Sequence, residues 1–423
     1  MGGFVRDALR GCPPDDVDLA TSSIWTDTER VITEAGYPVE ETGTAHGTVT
    51  AIIDGCRLEI TTYRTDGTYS DGRHPDSVTF VSSIEEDLAR RDFTMNAIAY
   101  HTERGLLDPY GGIDDLRRGV IRAVGEPLRR FDEDALRILR GCRFASQLGF
   151  DIDDATRFAM WKDKTKLMGL APERLTVEMT KLLLGDHVHD TLMTCGNILA
   201  GFLPEIVAME GFEQNSKYHI YDVWEHTAYV VQNTPATPLC RWTALFHDMG
   251  KPASAFTENG CRHFYNHPRL SVVIARGILK RLTLPHRLCE QILLLVRMHD
   301  VHIEPTDRSV KRALVRLDND VDLMRALLDV KRADALSQEP HFGAARLENV
   351  DALRKTLARV VEEQQAFRLT DLKISGHDLI EAGFPQGPEI GKVLREALDA
   401  VIDGKVENER AALLAFALDR RDA

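Results

Sequence analysis

The sequence predicts an α+β protein: a small head with a mixed β-sheet, followed by an all-helical neck, body and tail. Two observations carry this expectation. Between Val49 and Tyr63 the chain reads VTAIIDGCRLEITTY, rich in β-branched residues and broken at Asp54-Gly55, which is the pattern of a hairpin. After about Arg117 such runs fade, and apolar residues recur at helical spacing to the end of the chain. A length of 423 residues allows roughly two to four domains with ample core.

The elements follow in order. Arg64 to Pro75 is polar and holds Gly67 and Gly72, so a mobile loop is expected. Ile84 to Tyr100 returns to helical spacing. Phe131 to Phe144 reads as an amphipathic helix with Leu136, Leu139 and Cys142 on its apolar stripe. Pro172 opens a helix that Gly185 closes. Further helices are expected at Leu239–Met249, Ser271–Leu282, Cys289–Met298 and Val321–Leu336, and again from Pro340, with a break at Gly383–Pro388. The divisions expected are a head (1–116), a neck (117–200), a helical body (201–340) and a tail (341–423).

Composition narrows the class. The chain is 43% hydrophobic and 28% charged, as globular proteins are, with no apolar run of membrane-spanning length and no export signal. Its seven cysteines are scattered without a C-x-x-C, which points to reduced thiols in the cytoplasm and away from a thiolate zinc site. A net charge of −14 opposes a nucleic-acid partner unless the basic residues are concentrated. They are: eight arginines and no lysine lie between Arg117 and Arg143. Arg suits phosphates and base edges, although a charge run is commonly a solvated helix face.

The opening stretch GGFVRDALRGCPPDDVDLAT carries the most chemistry. Asp16 and Asp18 are two apart, so on a strand they share one face, where they repel unless a divalent cation sits between them. Oxygen-only ligation suits Mg2+. Gly2-Gly3 before a short helix resembles a phosphate cradle, and Arg6 adds a charged fork. Taken together, GGFVRD…DDVDLAT resembles the first motif of the template-independent nucleotidyltransferases, and more narrowly the bacterial class II group of CCA-adding tRNA nucleotidyltransferases and poly(A) polymerases. The resemblance implies that Asp16 and Asp18 hold catalytic metals and that Gly3 and Arg6 contact the incoming triphosphate. SIEEDLARRDFTMNAIAY resembles the ribose-sensing motif, centred on Arg91 and Asp92, and LLDPYGGIDDL the segment joining head to neck. Glu59 is a candidate third carboxylate, against the plainer reading of a solvated strand residue.

RFDEDALRILRGCRF resembles the nucleotide-selecting helix of the same family. Asp134 and Arg137 are three apart and would meet on one helical face, with Arg140 and Arg143 extending the row. Acceptors beside donors match the Watson–Crick edge of cytosine and, after a small shift, of adenine. The competing reading is an ordinary helical salt bridge.

A second metal site is expected in the body. His226, His247-Asp248 and Asp334 resemble the H…HD…D pattern of the HD phosphohydrolases, and nitrogen with carboxylate ligands favours a transition metal or magnesium. His263 and His267, with His299, would add a second cluster. In the tail, Lys373, Lys392, Arg395 and Lys405 would track tRNA phosphates or simply face solvent. Family members carry a helix and a strand before the double glycine, so the chain is expected to extend upstream of Met1. Four functions remain open on sequence grounds: CCA addition to tRNA from CTP and ATP; poly(A), CC- or A-addition on the same fold; an HD hydrolase with an inactive head; and a non-catalytic RNA binder.

Overall fold

In the computed structural model, residues 1–13, 17–67, 78–363 and 365–421 are described, with the side chains of Thr42, Ala45 and Asp66 excepted. Asp16 and most of the expected 64–75 loop therefore lie outside the described residues. The chain divides into two compact units, Met1–Ala208 with Lys280–Leu284, and Met209–Leu279 with Pro285–Ala423.

The first unit starts with helix α1 (Gly3–Leu9), strand β1 (Asp18–Thr21), α2 (Trp25–Glu34), β2 (Val39–Gly43), β3 (Thr48–Ile53) and β4 (Cys56–Thr62). The sheet order is β1-β4-β3-β2, with β1 parallel to β4 and the rest antiparallel, so the sheet is mixed as expected. The β3–β4 hairpin turns through Asp54 (φ 51°) and Gly55 (φ 80°), both left-handed, as a tight two-residue turn requires. Pairing of β1 with β4 sets Asp18 opposite Glu59.

Two expectations change here. Arg64–Asp66 (β5) is a strand paired with Val78–Phe80 (β6), not loop. The stretch 84–100 is not one helix. It splits into α3 (Ile84–Ala89), a 3-10 turn at Thr94–Asn96 and the strand β7 (Ala99–His101), which pairs with β8 (Gly105–Leu107). Burial explains the misleading pattern: Phe93, Met95, Ala97 and Ile98 are all fully buried, and a short buried run carries no period of its own.

Helix α4 (Gly112–Arg118) closes the head, and the neck follows with β9 (Val120–Ile121), α5 (Pro127–Glu133), α6 (Leu136–Leu148), β10 (Asp151–Ile152), α7 (Asp154–Asp163), α8 (Pro172–Leu183) and α9 (Val188–Leu199). Pro172 stands at the first turn of α8, where its missing N–H costs nothing. The stripe Leu136, Leu139 and Cys142 on α6 is buried. The expected 131–144 helix, however, is interrupted at Asp134, whose backbone is extended (φ −146°, ψ 104°). Strands persist past Arg117 as the two-residue pair β9–β10, too short to show alternation.

The second unit contains α10 (Val223–Asn233), α11 (Pro238–Phe246), α12 (Lys251–Ser254), the hairpin β11 (Phe256–Glu258) and β12 (Cys261–His263), α13 (His267–Arg281), α14 (His286–Met298), α15 (Asp307–Arg316), α16 (Val321–Leu336) and α17 (Pro340–Glu362). Its tail holds α18 (Gly376–Glu381), α19 (Pro388–Ile402) and α20 (Arg410–Arg421). One apolar cluster joins α14, α15 and α16 to Val350, Leu353, Leu357 and Val360 of α17. A separate cluster, from Leu372 to Ala417, belongs to the tail alone. All seven cysteines are free thiols.

A glycine sets how closely α4 packs on the turn at Thr94–Asn96 within the head. A Cβ on Gly112 would stand 2.0 Å from the Thr94 carbonyl oxygen, a backbone atom that cannot step aside. Gly112→Ala should therefore destabilise the first unit by about 2 kcal/mol or more, read as a lowered urea midpoint.

Candidate active sites

A cavity of about 540 Å³ in the first unit is lined by Gly3, Arg6, Asp18, Arg91, Asp92 and Asn96 from the head and by Asp134, Arg137, Arg140, Arg143 and Phe144 from the neck. Asp18 and the residues from Gly3 to Arg143 expected to bind the nucleotide border it, but Glu59, the candidate third carboxylate, does not. Gly2, with φ 67°, lets the chain pass the Arg91 guanidinium, which a Cβ would meet at 2.6 Å. Arg6 donates to Asn96 Oδ1 at 2.9 Å and pairs with Asp7 at 2.6 Å. The Phe144 ring carries three guanidinium groups over it, with Arg143 closest at 4.0 Å from the centroid, then Arg6 and Arg140.

Asp92 joins the two parts of the cavity. Its Oδ2 accepts from Arg140 Nε at 2.8 Å and pairs with Nη2 at 2.6 Å. Its Oδ1 accepts from the Phe93 backbone N–H at 2.7 Å and Asn96 Nδ2 at 3.1 Å. Burial by itself would raise this carboxyl's pKa, but the Arg140 charge and these donors outweigh it and hold the group well below the usual carboxylate range.

The selecting residues differ from expectation in one respect. Asp134 and Arg137 do not pair, because the extended backbone at Asp134 takes it off the helical face. Asp134 Oδ2 instead binds Arg174 of α8 at 2.8 Å, and its Oδ1 accepts from Leu136 N–H at 3.0 Å. Arg137 binds Glu133 at 2.7 Å and the carbonyls of Arg130 and Arg90. Arg143 reaches the buried Glu178, also on α8, at 2.6 Å. The cavity-side arginines of the run, Arg137, Arg140 and Arg143, are thus held in specific ion pairs, while Arg117, Arg118 and Arg129 are exposed. Arg174, Glu178 and Asn96 were missed from sequence. Glu178 left a trace, since it falls three residues after Leu175, on the buried stripe of α8.

The second centre lies wholly in the second unit. His226 comes from α10, His247 and Asp248 from the end of α11, and Asp334 from α16. His226 Nε2 is 3.1 Å from Asp334 Oδ1 and 3.5 Å from Asp248 Oδ2, and His247 Nε2 is 3.1 Å from Asp248 Oδ2. On its other side Asp248 Oδ1 lies 3.3 Å from His267 Nε2 and 3.7 Å from His299 Nε2. Asp248 is shared between two sets of candidate metal ligands, His226–His247–Asp248 and Asp248–His267–His299. His263 does not join them. It ends strand β12, and its ring stacks on Tyr265 and Phe256. The i,i+4 spacing brought His263 and His267 together only on a helix, and the chain is not helical there.

The donor chemistry fits a divalent cation. In all four imidazoles Nδ1 faces a backbone carbonyl, of Ser337, Ala244, Phe264 and Val296 in turn, at 2.6 to 3.1 Å. That fixes the tautomer and turns each Nε2 lone pair inward. Nε2 of His226 and His247 and Oδ1 of Asp248 are buried with no hydrogen-bond partner. Burial would raise the Asp248 pKa, yet His247 and then Lys251 hold it well below the ordinary range. Lys251 Nζ sits 2.6 Å from Asp248 and donates to Gln214 at 2.8 Å. Burial beside Lys251 pushes His219 down to about 2, so that ring is neutral. Among the described residues no such set forms in the head. Asp18 lines the cavity there, and its expected partner Asp16 is not described.

Comparison with known proteins now bears on both sites. Residues 1–122 match the family model of the poly(A) polymerase head domain. Residues 149–209 match one described as a probable RNA and SrmB binding site of polymerase A, 217–339 the HD domain, and 331–417 the tRNA nucleotidyltransferase domain 2. A nucleotidyltransferase head joined to an HD domain is the class this fold defines. The CCA-adding enzyme of Geobacillus stearothermophilus is 32% identical over 99% of this chain and 92% of its own length. That of Enterococcus faecalis is 31% identical over 100% and 91%. The crystal structure of the Bacillus stearothermophilus CCA-adding enzyme with CTP superposes with a TM-score of 0.74 at 30% identity, covering 100% of this chain and 92% of that one. The chain belongs to the CCA-adding enzyme family.

The Asp92 pair yields a pH-dependent prediction. A depressed folded-state carboxyl adds stability in full above its unfolded pKa of ~3.9 and loses it as the pH falls towards the folded value. Asp92→Asn should cost on the order of 2 kcal/mol at pH 7. Urea melts should show the deficit persisting to about pH 4 and shrinking only below it.

Proposed function

We propose that the chain adds CCA to the 3′ end of tRNA, using CTP and ATP and releasing pyrophosphate. The observation that carries this reading is the head–neck cavity, where an acidic strand residue, a glycine turn, an arginine cluster and an acceptor–donor edge face one space. The relatives' names and the CTP-bound neighbour support it. In this reading the 3′-hydroxyl of the RNA attacks the α-phosphorus in line while pyrophosphate leaves. Asp18, with Asp16 and the neighbouring Glu59, would hold Mg2+, which lowers the pKa of the attacking hydroxyl and neutralises the leaving group. Gly3 and Arg6 take the triphosphate, and Arg91 and Asp92 the ribose side. Asp134 and Arg137 present the edge that reads the base, while Arg140 and Arg143 close the row. A wrong base leaves buried polar groups unpaired, at about 1–3 kcal/mol each. The work is assigned to the cytoplasm; no described helix is long and apolar enough to cross a membrane.

A second activity is favoured by one further observation, the inward-facing Nε2 atoms around Asp248. His226, His247, Asp248 and Asp334 would bind a divalent metal that polarises a phosphoester, and His267 and His299 would hold another. Phosphohydrolysis would then accompany CCA addition rather than replace it.

On tRNA lacking its terminal nucleotides, CTP and ATP together should give C, C, A and then stop; unlimited A addition would assign a poly(A) polymerase instead. Asp18→Ala should reduce incorporation by more than about a hundredfold with the fold intact by circular dichroism. In the second unit, Asp248→Asn should weaken Mn2+ binding by roughly tenfold or more in titration calorimetry and abolish phosphate release from a 2′,3′-cyclic phosphate end. CCA addition should continue in that variant.

A further inference from the structure

We infer that the β11–β12 hairpin and the turn after it form a nucleobase platform for the second centre, with Tyr265 its specificity-determining residue. The phosphoester taken there then belongs to a nucleoside. The inference rests on the reading of that centre as a phosphohydrolase site.

The hairpin fixes three rings in place. Its two-residue turn, Asn259-Gly260, has both residues left-handed (φ 50° and 77°), which locks the strand register. That register sets Phe256 opposite His263, and their rings stack with centroids 5.3 Å apart. Tyr265 follows two residues on, its ring 5.6 Å from that of His263 and within 10° of parallel. The cluster is not a core: Tyr265 is 66% exposed and Phe256 42%. Aromatic faces held together and left in water are a surface on which a flat base stacks.

The platform belongs to the second centre by position. Tyr265 and His263 border a cavity of about 560 Å³ that is also lined by Asp248, His299 and Asp334. The turn that carries Tyr265 aims a metal-ligand candidate too, since the Phe264 carbonyl faces His267 Nδ1 at 2.9 Å. Base stacking and phosphate chemistry are therefore tied to one short segment. Lys217, on the cavity wall, lies over the Tyr218 and Phe342 rings at 5.1 and 5.3 Å and has no carboxylate partner among the described residues, so its charge is open to a phosphate.

Two further wall atoms ask for more than a phosphate. Gln338 gives Nε2 to Asp334 Oδ1 at 3.1 Å, and its Oε1 is buried with no partner among the described residues. His219 Nε2 faces the Lys251 ammonium at 3.4 Å, which puts its proton on Nδ1, buried and equally without a partner. The cavity wall thus holds one spare acceptor and one spare donor. Phosphate oxygens only accept at neutral pH, whereas ribose hydroxyls both give and take.

The test uses the full Mn2+-loaded chain and two matched substrates, adenosine 2′,3′-cyclic phosphate and its base-free counterpart, 1-O-methylribofuranose 2′,3′-cyclic phosphate. In each, water adds to phosphorus, one ribose P–O bond breaks and the freed oxygen takes the proton. The wild type should prefer the nucleoside ester in kcat/KM. Tyr265→Ala should lower that preference about tenfold, through KM for the nucleoside ester, and Tyr265→Trp should retain it. The ratio does not depend on what fraction of a variant folds. In EDTA, where no ester is opened, adenosine 3′-monophosphate should quench the emission added by Tyr265→Trp, and glycerol phosphate should not. An RNA ending in a 2′,3′-cyclic phosphate is tested beside the free nucleoside. The same loss in Tyr265→Ala on the RNA assigns the RNA end as the source, and a loss confined to the free nucleoside assigns the small molecule. If Tyr265→Ala keeps the wild-type ratio, or the nucleotide leaves the added emission unchanged, the platform is overturned and the metal centre stands. If the wild type opens neither ester and Asp248→Asn binds Mn2+ as the wild type does, the phosphohydrolase reading itself fails.

Discussion

The contact between the Asp92 carboxylate and the Arg140 guanidinium is the one on which the first unit depends. It joins residues 48 positions apart in the chain, one in the head and one in the neck. A charge as buried as Asp92 would be untenable alone, and four donor contacts make it tenable. Arg140 is then committed on one edge to Asp92 and drawn on another towards Glu178. Through these links Asp92, Asn96, the arginine row and α8 become one connected network. Connected polar networks of this kind have a single good arrangement, so the cavity is preorganised rather than assembled on demand.

The second unit solves the opposite problem. There the polar atoms are ordered by their outer partners, four backbone carbonyls, while their inner atoms converge with too few protons to satisfy them. Lys251, 2.6 Å from Asp248 Oδ2, offsets part of the imbalance. Gly250 makes the convergence possible. A Cβ there would come within 2.4 Å of the His267 carbonyl, so the glycine of the Asp-Met-Gly-Lys stretch is what lets the first turn of α13 lie against the histidine-bearing turn.

Much of this was legible in the sequence because it is local. The Asp54-Gly55 hairpin, the Pro172 helix start and the buried stripe of α6 all follow from residues within one turn or one strand of each other. The family motifs placed Arg91, Asp92, Arg140 and Arg143 at one cavity. What escaped was partnership at a distance. Nothing near Asp134 says that its counter-charge comes from Arg174, 40 residues on. The break at Asp134 is equally silent, since RFDEDALRILR reads as one continuous helix. His263 was misplaced for a related reason: a three-residue strand gives no periodicity from which to refuse a helix.

The histidines and carboxylates gathered around Asp248 all come from the second unit, and the residues that line the head–neck cavity all come from the first. Inheritance can therefore treat them separately. A lineage that exchanged His226, His247, His267 and His299 together with Asp248, Lys251 and Asp334 for apolar residues of similar size would shed a costly buried polar group and keep, or even gain, folding stability. Loss of the second chemistry would leave its scaffold standing, so the shape of that unit can outlive its reactivity over evolutionary time.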